Sequence, residues 1–283
     1  MIKRYINLDS EQESSVKSLI KECEEYDNSV IPVQFDHSLN YFSEMNSWFL
    51  YFEEEELIGV ISIFNPLSEI AEISGCVKPN KRNKGKFNEL IVSSYNELSV
   101  YNIKSVLFVV DNDSKAGMGI AEKLNLKCDH IEYLMKYEQF KEKYNSSIQF
   151  RDANLNDVDD FIRINSELFH ETHEESEKII MSCLQSNERK QYMAEIDNTI
   201  IGICTLFYSD NKVIIYGLGI SEVYQGKGYG HDLINSVFSL LKNKNYELEL
   251  EVDSLNEKAY NLYKKVGFKE TRVVNYYEKE CIG

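Results

Sequence analysis

Apolar residues recur along the chain with two periods. Some short stretches alternate every second residue, as a half-buried strand does. Longer stretches return every three to four residues, as one face of a helix does. The clearest alternation is in residues 246–252, where Glu247, Glu249 and Glu251 interleave with Leu248, Leu250 and Val252. That pattern predicts a strand with an apolar face packed inward and an acidic face in solvent. Residues 69–77, 104–110 and 212–220 also read as strands. Residues 191–196 and 200–208 read as a hairpin around Asp197-Asn198, residue types that tolerate the left-handed backbone of a tight turn. Helical spacing predicts helices over residues 88–98, 115–124, 157–169, 174–184, 231–241 and 257–266. The acidic run from Glu53 to Glu56 reads as a solvated turn between strands.

The pattern repeats itself. Residues 77–87, VKPNKRNKGKF, parallel residues 220–230, ISEVYQGKGYG, at an offset of 143. Each stretch follows a strand and precedes a helix, and a strand, a short helix and a closing strand rich in Tyr and Val come after. A period this long marks duplication of a whole domain. The expected fold class is α/β (α+β), as two tandem domains, each a mixed, mostly antiparallel sheet flanked by helices. The predicted boundary places domains at 1–145 and 146–283, joined near Tyr144-Asn-Ser-Ser147.

Composition narrows the chemistry. Formal net charge is −16, shared evenly by the halves. A nucleic-acid binder needs a basic footprint to displace counterions, and an anionic membrane asks for the same, so neither is an expected partner. The six cysteines, Cys23, Cys76, Cys128, Cys183, Cys204 and Cys281, form no C-x-x-C pair and have no zinc-spaced histidine nearby. They read as reduced, mostly buried thiols of a cytoplasmic protein without a bound metal. No stretch reaches the roughly 18 apolar residues of a membrane span. His37, His130, His170, His173 and His231 read as structural or surface groups.

Candidate chemistry centres on Gln225-Gly-Lys-Gly-Tyr-Gly230. Its glycines let the backbone turn tightly and expose consecutive N–H groups. The helix that follows adds unsatisfied N–H groups and a partial positive charge, and Lys227 adds a cation. The loop is a cradle for a diphosphate. It is not a Walker loop, because no Lys-Ser/Thr pair follows the last glycine.

The loop resembles the Arg/Gln-x-x-Gly-x-Gly/Ala signature of the GNAT superfamily of acyl-CoA-dependent N-acetyltransferases. Downstream, Asn256, Ala259, Leu262, Tyr263, Gly267 and Phe268 stand in the register of that family's second motif. The resemblance implies a cofactor-binding set in the second half. Leu218 and Ile220 would bond the acyl carbonyl and the pantetheine arm, and Gly219 would permit close approach. Gln225, Gly226, Lys227, Gly228, Tyr229 and Gly230 would hold the pyrophosphate of acetyl-CoA, and Asn256 would bond the pantetheine arm.

Acyl transfer to an amine needs a neutral amine, a donor for the oxyanion and a proton for the leaving thiolate. The resemblance makes Tyr263 the acid. Glu251 is the candidate base, because Leu250-Glu251-Val252 with Tyr263 twelve residues on resembles the ribosomal-protein N-terminal acetyltransferase branch. Asn275-Tyr276-Tyr277 resembles its last strand. The plain alternative is a solvated acidic face. Neutralising a lysine amine at pH 7 costs about 4–5 kcal/mol, against about 1 kcal/mol for an α-amine, so one carboxylate suits the second task better. The expected acceptor is an amine-bearing small molecule or peptide.

The first half departs from the pattern. Arg82 and Gly85 remain, but Phe87 replaces the last small residue, with Lys78, Lys81, Lys84 and Lys86 around it. Ser114, Gly117 and Ala121 take the places of Asn256, Ala259 and Tyr263. The first half is expected to be a GNAT-like fold without catalysis, and the plan resembles other tandem GNAT proteins. The competing reading for the whole chain is a non-catalytic CoA-binding or interaction module.

Overall fold

The computed structural model describes residues 1–137, 145–244 and 246–280. Tyr144 of the expected linker and Cys281 fall outside them. In chain order the elements are β1 (Ile2–Tyr5), α1 (Ser10–Asp27), β2 (Trp48–Glu53), β3 (Glu56–Phe64), β4 (Ile70–Val77), α2 (Lys86–Val100), β5 (Ser105–Asp111), α3 (Lys115–Lys123) and β6 (Lys127–Tyr137). Then come β7 (Gln149–Asp152), α4 (Val158–Phe169), α5 (His173–Gln185), β8 (Arg189–Ile196), β9 (Thr199–Ser209), β10 (Lys212–Ile220), α6 (Tyr229–Leu241), β11 (Glu247–Asp253), α7 (Glu257–Val266) and β12 (Lys269–Glu280).

The chain forms two compact units, one of Met1–Ile131 with Val273–Gly283 and the other of Glu132–Arg272. This is not the single division after residue 145 that the repeat predicted. The closing strands have changed places. In unit 1, β5 pairs antiparallel with β12, from Val274↔Asp111 to Glu280↔Ser105. In unit 2, β11 pairs antiparallel with β6, from Leu248↔Tyr137 to Asp253↔Glu132. Both strands are long and carry two tyrosines each, so local pattern gives either of them no preference for its sequence neighbour.

Unit 1 orders its strands β1-β2-β3-β4-β5-β12, and unit 2 orders its own β7-β8-β9-β10-β11-β6. Each sheet is antiparallel except for one parallel pair, β4 with β5 and β10 with β11. In unit 2, Phe161, Ile164 and Ile180 of α4 and α5 pack on Met193 and Ile203 on one sheet face. Leu233, Val237 and Phe238 of α6 pack with Leu248, Leu250 and Val252 on the other. Unit 1 repeats the plan, with Val16, Leu19 and Ile20 of α1 on one face and Leu90, Ile91 and Leu98 of α2 on the other. Burying these stripes gives each helix most of its stability.

The predicted elements appear with ends moved by one or two residues. Asp197 and Asn198 have φ of 47° and 61°, the left-handed pair expected at the hairpin. The acidic face of β11 is only partly solvated. Glu247 and Glu251 are exposed, but Glu249 is buried, 2.8 Å from Lys136 Nζ and 3.1 Å from Lys212 Nζ. Among the described residues no helix is long and apolar enough to cross a membrane.

Candidate active site

The site in unit 2 begins where two parallel strands part. Pairing of β10 with β11 runs from Lys212↔Glu247 to Ile215↔Leu250 and stops there, although β10 continues to Ile220 and β11 to Asp253. A bulge lies just beyond the last pair. The β9–β10 register shifts between Tyr216 and Gly219, and Gly217 takes φ +54°, a backbone region that favours glycine. Leu218 lies inside the bulge and Ile220 at its far end, so the predicted acyl-binding backbone sits on the diverging edge. Gly219 is also a packing position. A Cβ there would lie 2.3 Å from Leu168 Cδ1, so its bare backbone admits α4. A Cβ on Gly202 of β9 would lie 2.7 Å from the Gly219 carbonyl oxygen, so that glycine also secures the bulge.

β10 leads into the glycine loop. Gly226 and Gly228 have φ of +75° and +91°, and added Cβ atoms would meet nothing within 4 Å. No side chain caps the first turn of α6, so its N–H groups remain for an anion. Gln225 donates from Nε2 to the Ile220 carbonyl at 2.9 Å, which ties the loop to the strand end. Lys227 Nζ donates to the Val223 carbonyl at 3.0 Å and lies 5.2 Å from the Tyr224 ring centre. Tyr229 packs against the core, and Gly230 stands in the first turn beside Leu262. These residues shape an exposed glycine turn at the start of α6; the two long side chains serve the loop itself.

Asn256 caps α7, its Oδ1 accepting from Ala259 N at 3.1 Å. That satisfies the helix end and leaves the amide nitrogen for another partner. Tyr263, about two turns further on, is 6% exposed, with its ring edge-on to Phe268 at 5.7 Å. Burial pushes its phenol above the ordinary value and holds it protonated across the physiological range. Packing around β11 lifts the Glu251 carboxyl to about 7, with Glu132 and Glu249 adding like charge and Arg272 opposing them. Its side chain still reaches solvent, and water moderates that lift. A raised carboxyl is better matched to an amine than an ordinary one.

A second carboxylate beside the α4–α5 turn escaped sequence reading, which took His170 and His173 on either side of it as structural or surface groups. Glu171 between them is half-buried and bonds Asn165 Nδ2. Burial raises it to about 7, Glu175 adds to the rise, and the Asn165 and Ser176 bonds oppose it. It follows Leu168 and Phe169, the residues nearest to Gly219. No periodicity distinguishes Glu171 from its acidic neighbours, because only the fold buries it.

Residues 158–268 match the model of the acetyltransferase (GNAT) family. The chain is 31% identical over 105 residues to a [ribosomal protein bS18]-alanine N-acetyltransferase of Haemophilus influenzae, covering 35% of this chain and 71% of the relative. It is 28% identical over 149 residues to an N-alpha-acetyltransferase of Sulfurisphaera tokodaii, covering 48% of this chain and 88% of that one. Two solved structures share the fold along 99% of the chain. A GCN5-related N-acetyltransferase from Sphaerobacter thermophilus has a TM-score of 0.76 at 16% identity over 95% of its length. A tandem GNAT protein from the clavulanic acid biosynthesis pathway has a TM-score of 0.69 at 9% identity over 98% of its length. The protein is an acyltransferase, and it belongs to the GNAT acetyltransferase family.

Proposed function

We propose that unit 2 transfers an acetyl group from acetyl-CoA to a primary amine of a peptide or small molecule, with a peptide α-amine as the preferred acceptor. The carrying observation is the bulge at Gly217. It lies where β10 parts from β11, ahead of a helix N-terminus that no side chain caps. Backbone of Leu218 and Ile220 serves the acyl group and pantetheine arm, residues 225–230 serve the diphosphate, and Asn256 offers its amide nitrogen. Glu251, directly or through water, takes a proton from the acceptor ammonium. The neutral nitrogen forms its bond to the acyl carbon as the carbon–sulfur bond breaks. Tyr263 gives its proton to the departing thiolate, and the phenolate regains one, through water, as the new amide nitrogen sheds its second proton. The α-amine preference draws on the names of the two relatives and on the modest work that a carboxylate near 7 can do. The free thiols of Cys23, Cys76, Cys128, Cys183 and Cys204 support a cytoplasmic location.

The test is thiol release from acetyl-CoA across a panel of peptides and small amines, with wild type and Tyr263→Phe. We expect kcat to fall about 10²- to 10⁴-fold in the variant, with affinity for CoA nearly unchanged. Equal turnover would remove Tyr263 from the chemistry, and absence of release by wild type across the panel would overturn the proposal.

A further inference from the structure

Glu167 stands in the last turn of α4 and is not among the residues given a role above. Its carboxylate reaches across to the end of β10. Ser221 Oγ donates to it, lying 3.0 Å from each oxygen, and Oε1 also accepts from the backbone N–H of Glu222. Ser221 is 2% exposed, and its own N–H donates to the Ile201 carbonyl of β9 at 2.9 Å. The anchor is therefore fixed in the sheet. Hydrogen bonds to an ionised group are about twice as strong as neutral ones, so two fixed donors hold this carboxylate, and the helix end behind it, in one place.

What Glu167 grips is the entrance to the glycine loop. Glu222 opens the single 3₁₀ turn Glu222–Tyr224, which runs straight into Gln225. Ser221 makes no capping bond of its own, so the first N–H of the turn depends on a carboxylate 55 residues earlier in the chain. Unit 1 meets the same need in another way. At the offset of 143, Pro79 takes the place of Glu222 and has no N–H to satisfy. The β3–β4 register is also continuous from Gly59↔Val77 to Phe64↔Glu72, so β4 has no counterpart of the Gly217 bulge. The donor that Glu167 clamps therefore belongs to the unit with the bulge and Tyr263.

The same end of α4 sets the α4–α5 turn. Leu168 fills the space left by the missing Cβ of Gly219, and Phe169 lies beside it. His170 closes the helix with φ of 60°, its N–H donating to the Ser166 carbonyl at 3.1 Å. Glu171 follows, bonded to Asn165 Nδ2, which also donates to Ser176 Oγ of α5 at 3.1 Å. Thr172 then caps α5. From Glu167 to Thr172 the chain is braced on α4, α5 and the end of β10. An amine attacking an acyl group held at Leu218 and Ile220 meets this braced turn, because Leu168 and Phe169 lie against Gly219 between them.

We propose that Glu167 is a positioning residue for the transfer: its carboxylate registers the α4–α5 turn against the end of β10 and the glycine loop, so that filling the cofactor site strengthens the grip on the acceptor. The inference rests on reading unit 2 as the acetyltransferase. Glu167 touches no reacting atom. Attack needs nitrogen and acyl carbon about 3–3.5 Å apart, and a misplacement of about 1 Å can cost about 10²-fold in rate. One rigid link between the element that carries the acyl donor and the element beside the acceptor meets that demand. By linkage the acceptor strengthens cofactor binding by the same factor.

Calorimetry of the full chain tests it, with CoA as the cofactor probe and, as acceptor, the peptide turned over fastest in the panel above. For wild type we expect the peptide to bind about fivefold or more tightly to the CoA-saturated chain than to the free chain. Glu167→Ala should bring that ratio to near one and lower kcat/KM for the peptide about 10- to 100-fold. Glu167→Gln should keep most of both, because its amide can accept from the Glu222 N–H and donate to Ser221 Oγ. Glu222→Pro imports the residue of unit 1 and removes the clamped donor without opening a cavity. It should also lower the ratio, and it serves as the independent variant if alanine disturbs folding. A purely structural role would lower the melting temperature and the fraction of chain able to bind, but leave the ratio as in wild type. A ratio of one in wild type, or a wild-type ratio kept by the folded variants, would overturn the inference and leave the unit 2 reading standing. No thiol release by wild type across the panel would overturn that reading and the inference with it.

Discussion

A carboxylate must be unprotonated to accept a proton, so with Glu251 as the proposed base its titration would set how the reaction responds to pH. Its carboxyl is raised from the ordinary value to about 7, chiefly by the protein packed around β11 and then by Glu132 and Glu249, a lift that water moderates because the side chain stays exposed. Below that pH the group is protonated and cannot serve as a base. kcat/KM for a peptide acceptor should therefore climb about tenfold per unit up to pH ~7 before levelling. Glu251→Gln should lower the plateau about 10²-fold or more and leave a limb set by the acceptor α-amine near 8. A pH profile of both proteins decides it; superimposable profiles would return Glu251 to the role of a surface acid. The sign for stability is the reverse. The protonated form favours the fold, so this contribution is present below the ordinary carboxylate range and is lost as pH rises through about 7. Sequence alternation placed Glu251 on the correct face of the strand but could not supply this titration, which comes from the protein packed around it. Glu171 was missed for the same reason. The glycine loop and the Asn256 helix cap were legible because local backbone geometry dictates their residue types, whereas Tyr263 was picked out only by the resemblance to the GNAT second motif.

At the scale of elements, what makes unit 2 differ from unit 1 is one bulge. Gly217, Gly219 and Gly202 together permit it: the first by its left-handed backbone, the second by admitting α4, and the third by leaving room for the Gly219 carbonyl. Gly202→Ala tests this. Its methyl group would press on that carbonyl oxygen from 2.7 Å and on Ile220 Cδ1 from 2.6 Å, neither with space to give way inside the core. We expect a loss of about 1–3 kcal/mol in denaturant unfolding, together with weaker binding of acetyl-CoA. Unchanged stability and affinity would show that the bulge does not depend on this packing. The glycines of residues 216–220 were visible in the sequence, yet the division of labour among them was not. Which glycine carries positive φ depends on the register with β9, a pairing that no local pattern encodes.

On the scale of the whole molecule, the repeat predicted two consecutive domains, and the fold delivers two units that each borrow a strand from the other half of the sequence. β12 completes unit 1 and β6 completes unit 2. Periodicity identified both closing strands but not their partners, since either one could satisfy the exposed edge of β5 or β11 equally well from its local pattern. The exchange has a consequence that a beads-on-a-string arrangement would not share. Deleting the chain from residue 273 onward should damage unit 1, which is distant in sequence, by stripping β5 of its antiparallel neighbour and exposing a long apolar edge. Amides of Ser105–Asp111 should lose protection in hydrogen exchange, while those of β8, β9 and β10 in unit 2 stay protected. A fragment of residues 146–283 should fare worse than its length implies, because β11 then lacks Glu132–Tyr137 and the last strand lacks β5. If that fragment melted as cooperatively as the full chain and kept its β11 amides protected, the closing strands would have to pair within their own halves, and the exchanged topology would be wrong.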